Sequence, residues 1–147
     1  MTLDNDNATS LERFLCFDLY AAHQAFGRVY KPLLDPLGLT YPQYLVMTTL
    51  WAQSPLSVGQ IGRRVGLETN TLTPLLKRME QAGLIQRRRA RDDERRVVVT
   101  LTDAGRDMQA RAAHVPACVG RATGLDTREL QDLQDRLRRL TSALNGG

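Results

Sequence analysis

A chain of 147 residues with 42% hydrophobic and 24% charged residues has the length of one domain and enough apolar material for a core, which argues against a multidomain enzyme and against disorder. No apolar run approaches the roughly 18 residues that span a bilayer, and Met1-Thr2-Leu3-Asp4-Asn5-Asp6 lacks the basic and apolar parts of a secretory signal, so the expected setting is cytoplasmic, without a membrane. The net charge is only +4, but Arg63 to Arg96 holds ten basic and five acidic residues, so this stretch carries +5 and the remainder −1.

From Ser10 to about Leu34, Leu11, Phe14, Leu15, Leu19, Ala22, Phe26, Val29 and Leu33 recur at helical spacing, with Ser10 as the N-cap. Pro36 and Gly38 end this helix, and Thr40 caps a second from Tyr41 to Ala52. Ser57 caps a short helix from Val58 to Val65, Gly66-Leu67 turns, and a further helix runs from about Asn70 to Ala82, with Gly83 just past its end. Leu84 to Arg88 and Arg96 to Leu101 then read as a hairpin. A helix pair followed by a hairpin is the layout of a winged helix-turn-helix. Thr102 caps a helix that continues past Arg111 with a kink at Pro116, and Asp126-Thr127-Arg128-Glu129 is a capping box opening the last helix. In that helix Leu130, Leu133, Leu137, Leu140 and Leu144 form a seam, which packs within one subunit or closes a dimer. The fold class is mainly α with a small β-hairpin, one winged domain over residues 1–147. About residues 41–101 form its DNA-binding part, and about 10–40 and 103–145 its dimerisation helices, whose apolar faces need a partner's surface.

Reading DNA needs a helix for base edges and cations for phosphates. Thr69, Asn70, Thr71, Thr73, Lys77 and Arg78 supply the first; Arg88, Arg89, Arg91, Asp93 and Arg95 on the hairpin supply the second. Six arginines lie within Arg87 to Arg96, a density suited to phosphate, although a solvated basic face would read the same. Asp93, two residues before Arg95, is expected to hold that guanidinium extended for a narrow minor groove.

Cys16 and Cys118 are unsuited to a constitutive disulfide in a reducing setting, and with His23 and His114 they do not match zinc spacing, so neither metal nor cofactor is expected. Each is a packing residue or a redox group. A reactive Cys16 needs its thiolate stabilised; about two turns in from Ser10 it gains little from the helix dipole, and Tyr20, Tyr30 and Tyr41 are the nearest donors.

Leu15-Cys16-Phe17-Asp18-Leu19-Tyr20-Ala21-Ala22, Tyr30-Lys31-Pro32-Leu33-Leu34, Leu39-Thr40-Tyr41-Pro42-Gln43-Tyr44-Leu45, Thr71-Leu72-Thr73-Pro74-Leu75-Leu76-Lys77-Arg78 and Asp93-Glu94-Arg95 resemble the MarR family, and within it the organic-hydroperoxide-resistance regulators. The resemblance implies a homodimeric repressor that binds an inverted-repeat operator in double-stranded DNA and releases it when an organic hydroperoxide oxidises one cysteine. It puts Cys16 at the sensing position and Tyr30 and Tyr41 at the two positions that hydrogen-bond the thiolate, in a pocket assembled across the dimer. Burial among Phe14, Phe17 and Phe26 would favour an apolar peroxide. In two-cysteine members a thiol on the partner's fifth helix resolves the oxidised sulfur; that position falls near Arg121, about one turn from Cys118, so Cys118 either resolves Cys16 or packs, leaving Cys16 to a small thiol. Gly66, Glu68 and Asn70 depart from the family pattern and bear on operator sequence. Two other readings stand beside this one: a regulator of the same family that takes a small phenolic or aromatic ligand with both cysteines inert, and a thiol peroxidase, which would leave the basic hairpin without a task.

Overall fold

The computed structural model describes residues 14–147, so Ser10 and Leu11 lie outside the described residues. The first helix, α1 (Leu15–Leu34), is followed by a 3-10 turn over Asp35–Leu37 and by α2 (Tyr41–Ala52). Thr40 starts α2 with a reciprocal box: its hydroxyl accepts from the Gln43 backbone N–H at 3.3 Å while its own N–H donates to the Gln43 side-chain Oε1 at 3.0 Å. Ser57 and Gln60 repeat the device at α3 (Val58–Val65), at 3.1 and 2.8 Å.

Gly66 (φ 73°) ends α3 in the left-handed region, where a side chain is strained, and α4 (Thr69–Gln81) follows after a short turn. Two strands, β2 (Ile85–Arg89) and β3 (Val97–Leu101), pair antiparallel from Ile85 opposite Leu101 to Arg89 opposite Val97. A short strand not anticipated from the sequence, β1 (Leu56–Ser57), pairs with the other edge of β3, giving the order β1-β3-β2. Thr102 joins the sheet to α5 (Asp103–Ala112): its hydroxyl accepts from Gly105 N–H at 3.1 Å and donates to the Gly83 carbonyl at 2.6 Å. Gly105 has no room for a side chain, because a Cβ there would collide with the Leu84 carbonyl. Its own carbonyl accepts the Trp51 indole N–H at 2.9 Å.

The core of this first unit, which runs to Ala113, is made by Val46, Met47, Ile61, Leu72, Leu76 and Val99, all fully buried. The second unit, His114–Gly147, contains α6 (Val115–Ala122) and α7 (Thr127–Leu144). Pro116 therefore does not kink one long helix. The ladder stops at Ala112, and proline, with its fixed φ and missing N–H, sits in the first turn of a new helix. Asp126 and Glu129 form the expected capping box of α7, whose leucine seam is half-buried to exposed.

Candidate DNA interface and thiol site

The first turn of α4 exposes Thr69, Asn70 and Thr71, with Thr73, Lys77 and Arg78 exposed one and two turns on, while Leu72, Leu76 and Met79 hold the opposite face in the core. The Thr73 hydroxyl donates to the Thr69 carbonyl at 2.8 Å. Between this helix and the wing lies a groove of about 450 Å³ whose walls include Thr69 and Thr73 on one side and Asp93, Arg95 and Arg96 on the other. Two groups picked out on separate segments thus share one cleft. Asn70, Thr71, Lys77, Arg78, Arg88, Arg89 and Arg91 stand outside its walls, all exposed.

The wing loop departs from expectation in one respect. Asp93 accepts a hydrogen bond from the backbone N–H of Arg95 at 3.0 Å, while among the described residues the Arg95 guanidinium forms no ion pair. A short acidic side chain binding the amide two residues on is an Asx turn, so Asp93 shapes the loop and leaves the Arg95 side chain free. Arg89 supports the loop from below through the Glu94 carbonyl at 3.0 Å.

Sequence reasoning passed over the pair that ties wing to helix. Glu80, near the end of α4, accepts the Arg87 backbone N–H at 2.9 Å and its guanidinium at 3.2 Å. The Arg87 backbone N–H, followed by its guanidinium, holds the Glu80 carboxyl below its ordinary range. An acid before a Gly83 turn and an arginine just after it was the available signal.

Cys16 is exposed and is the second residue of α1, because Phe14 is extended (φ −86°, ψ 112°) and the helix begins at Leu15. It therefore lies in the first turn, the end of a helix that favours anions, and not two turns inside. The Tyr20 hydroxyl accepts from Gln24 Nε2 at 2.9 Å, on the side away from Cys16. Tyr30 and Tyr41 do come together, with ring centroids 4.8 Å apart, and Tyr44 stacks behind at 5.9 Å from Tyr30. Burial, with lesser contributions from Tyr41 and Tyr44, pushes the Tyr30 phenol up to about 12, so it stays an O–H donor at neutral pH. His23, Phe26, Gly27, Tyr30, Tyr41 and Pro42 line an open cavity of about 490 Å³. Cys16 is not in it: fourteen residues along one helix separate it from Tyr30 by about 21 Å. In the second unit Cys118 is half-buried on α6, and its Sγ accepts from an Arg121 guanidinium N–H at 3.5 Å.

No helix among the described residues is long and apolar enough to cross a membrane. Residues 28–111 match the family model described as transcriptional regulator SarA/Rot. The chain is 46% identical over 140 residues to the HTH-type transcriptional regulator TtmR of Methylorubrum extorquens, covering 95% of this chain and 72% of that protein. It is 45% identical over 124 residues to the organic hydroperoxide resistance transcriptional regulator of Bacillus subtilis, covering 84% and 82%. Among solved structures, reduced AbfR bound to DNA superposes with a TM-score of 0.77 at 36% identity, covering 88% of this chain and 92% of that one. A disulfide-formed state of AbfR, a protein of Staphylococcus epidermidis, matches at 0.62 and 37%, covering 95% and 93%. With the helix pair, the wing and these relatives in agreement, the chain belongs to the SarA/Rot group of MarR-type winged-helix regulators and is a DNA-binding transcriptional regulator.

Proposed function

We propose that the protein is a homodimeric repressor that senses organic hydroperoxides through Cys16 and then releases an inverted-repeat operator. One observation carries this reading: the exposed thiol and the tyrosine pair suited to hold it lie about 21 Å apart on one chain, each an incomplete half of a site. A second copy that brings its Cys16 to the Tyr30 and Tyr41 pocket completes both halves at once. The names of the Bacillus and Staphylococcus relatives, one a hydroperoxide-resistance regulator and one known in reduced and disulfide forms, point the same way.

The chemistry then follows from the side chains. The thiolate sulfur attacks one peroxide oxygen, the O–O bond breaks, and the other oxygen leaves as an alcohol after taking a proton, giving a sulfenic acid on Cys16. Tyr30, kept protonated, donates a hydrogen bond to the thiolate before the reaction. Phe14, Phe17 and Phe26, exposed in the single chain, give the entrance an apolar lining that suits an organic peroxide. The sulfenic acid condenses with a second thiol, Cys118 of the other copy or a small thiol, and water leaves. On the DNA side Thr69, Asn70, Thr71 and Thr73 meet base edges, Lys77, Arg78, Arg88, Arg89 and Arg91 meet phosphates, and Arg95 enters the minor groove from a loop shaped by Asp93.

Fluorescence anisotropy on the protein's own promoter region tests the reading. Cumene hydroperoxide should abolish binding, dithiothreitol should restore it, and Cys16→Ser should stay bound; oxidative release by Cys16→Ser would sink the redox mechanism. The cavity of about 490 Å³ supports a second reading, a small phenolic ligand acting with inert cysteines. That reading requires a variant lacking both cysteines to remain releasable by ligand.

A further inference from the structure

Cys16, His23 and Tyr30 follow one another at intervals of seven residues on α1, about two turns each, and so share one face of the helix. At about 100° per residue, Leu19, Tyr20, Phe26 and Gly27 fall within about 60° of that line. Cys16, Tyr20, His23 and Phe26 are all exposed in the single chain, and a Cβ at Gly27 would meet nothing within 4 Å. The stripe contains no carboxylate, lysine or arginine. Asp18 and Arg28 lie about 140° round the helix from His23, and Lys31, about 80° away, faces Asp35 at 3.3 Å. Of the elements packed on α1, the 3-10 turn contributes only Asp35 as a charged group, while α2 has no charged residue and offers the phenols Tyr41 and Tyr44 as its titratable groups.

The inference rests on the reading above, that Cys16 of one copy enters the tyrosine pocket of the other. In a two-fold dimer, if residue 16 meets residue 30, then 30 meets 16 in return, which requires the two α1 helices to run antiparallel. Residues opposite one another then have numbers that sum to 46, as 16 and 30 do, and the residue opposite itself is number 23. We propose that the two His23 imidazoles meet at the two-fold axis, midway between the two thiol sites, and that protonating this pair loosens the dimer.

Leu19 and Phe26 lie on one flank of the stripe and Tyr20 and Gly27 on the other, so on each flank residues one step out of level meet: Leu19 packs beside Phe26 of the second copy and Tyr20 over its Gly27, bulk facing bulk or a gap. Two neutral imidazoles can share an N–H···N hydrogen bond across such a seam. Two imidazolium ions in the same place repel and give up water without a carboxylate to compensate. The separated chains therefore bind protons more readily than the dimer does. With Cys16 replaced by serine, so that its thiol adds no proton linkage of its own, association weakens as pH falls.

Two experiments on the full chain decide the matter. Cys16→Ser/Cys118→Ser/His23→Cys should give a covalent dimer with a short bismaleimide, and Cys118→Ser/Tyr30→Cys should give one by oxidation through the retained Cys16. Cross-linking of the second protein without the first overturns the His23 pairing and leaves the sensing reading intact; failure of both removes the sensing pocket as well. In a Cys16→Ser background the dimer dissociation constant, from sedimentation, should rise about tenfold or more between about pH 7.5 and about pH 5.5, and this rise should vanish in Cys16→Ser/His23→Gln. An equal pH response in both proteins overturns the proton-sensitive part.

Discussion

The stretch from α2 to β3 and the helix α1 are both rich in large apolar residues, yet they end in opposite conditions. In the first, Val46, Met47, Ile61, Leu72, Leu76 and Val99 are sealed from solvent. In α1 only Leu34 is buried, while Phe17, Tyr20 and Phe26 are 41–59% exposed. Length does not explain it, since α1 at 20 residues is the longest helix described. What differs is closure: the helix pair and three strands cover one another's apolar faces, whereas among the described residues most of the α1 stripe stays exposed. In the proposed dimer, this stripe is the surface that a second copy covers. The winged part thus buries its own large apolar residues, and α1 leaves most of its own exposed.

Substitutions sharpen the contrast. Leu76→Ala, which empties a fully buried position behind the recognition helix, should cost about 2–5 kcal/mol in denaturant unfolding and take DNA binding with it. A loss below about 1 kcal/mol would mean that this core is looser than it looks. Phe26→Ser should behave differently. Wild-type Tm should rise with protein concentration; the variant should lose that dependence and bind operator weakly, with the stability of the dilute chain changed by about 0.5 kcal/mol or less. A wild-type Tm that ignores concentration would break the comparison.

Arg95→Ala should weaken operator binding by about 1–3 kcal/mol and reduce the salt slope by about 1, read by anisotropy across a salt series. Unchanged affinity would remove the wing tip from the contact set. The smallest effect belongs to Glu80. Its carboxyl is held below the ordinary 4.5, so its contribution to stability is fully present above that value and is lost as pH falls through the lower, folded-state value. Glu80→Gln should flatten the acid limb of the stability profile and leave the neutral region nearly unchanged. An acid limb identical to wild type would show that Arg87 finds equivalent support elsewhere.

Local chemistry made much of this legible in advance. Thr40, Ser57, Thr102 and Asp126 cap the helices expected of them because a capping side chain and its partner lie three residues apart, within reach of any reading of the chain. The hairpin was equally visible in the β-branched run from Val97. β1 was not, since two residues make a strand only when Val98 and Val99 arrive from some forty residues away. The start of α1 was misjudged for a related reason: Ser10 satisfies the local rule for a cap, but the extended Phe14 sets the boundary and moves Cys16 into the first turn. Tyr30 and Tyr41 were singled out through resemblance, and their contact comes from α1 folding back on α2. Glu80 and Arg87 went unnoticed because neither is unusual until the Gly83 turn sets one beside the other.

Ser57 has a consequence for how an operator is let go. It is the last residue of β1, opposite Val98 in the sheet, and also the residue whose hydroxyl starts α3. Wing and helix pair are thereby joined through one residue. A signal arriving from elsewhere has no need to unfold or reshape this reading head. In the proposed dimer two such heads would have to match half-sites spaced about 34–36 Å apart, so a change in their separation, with each head internally untouched, would be enough to put them out of step with the groove.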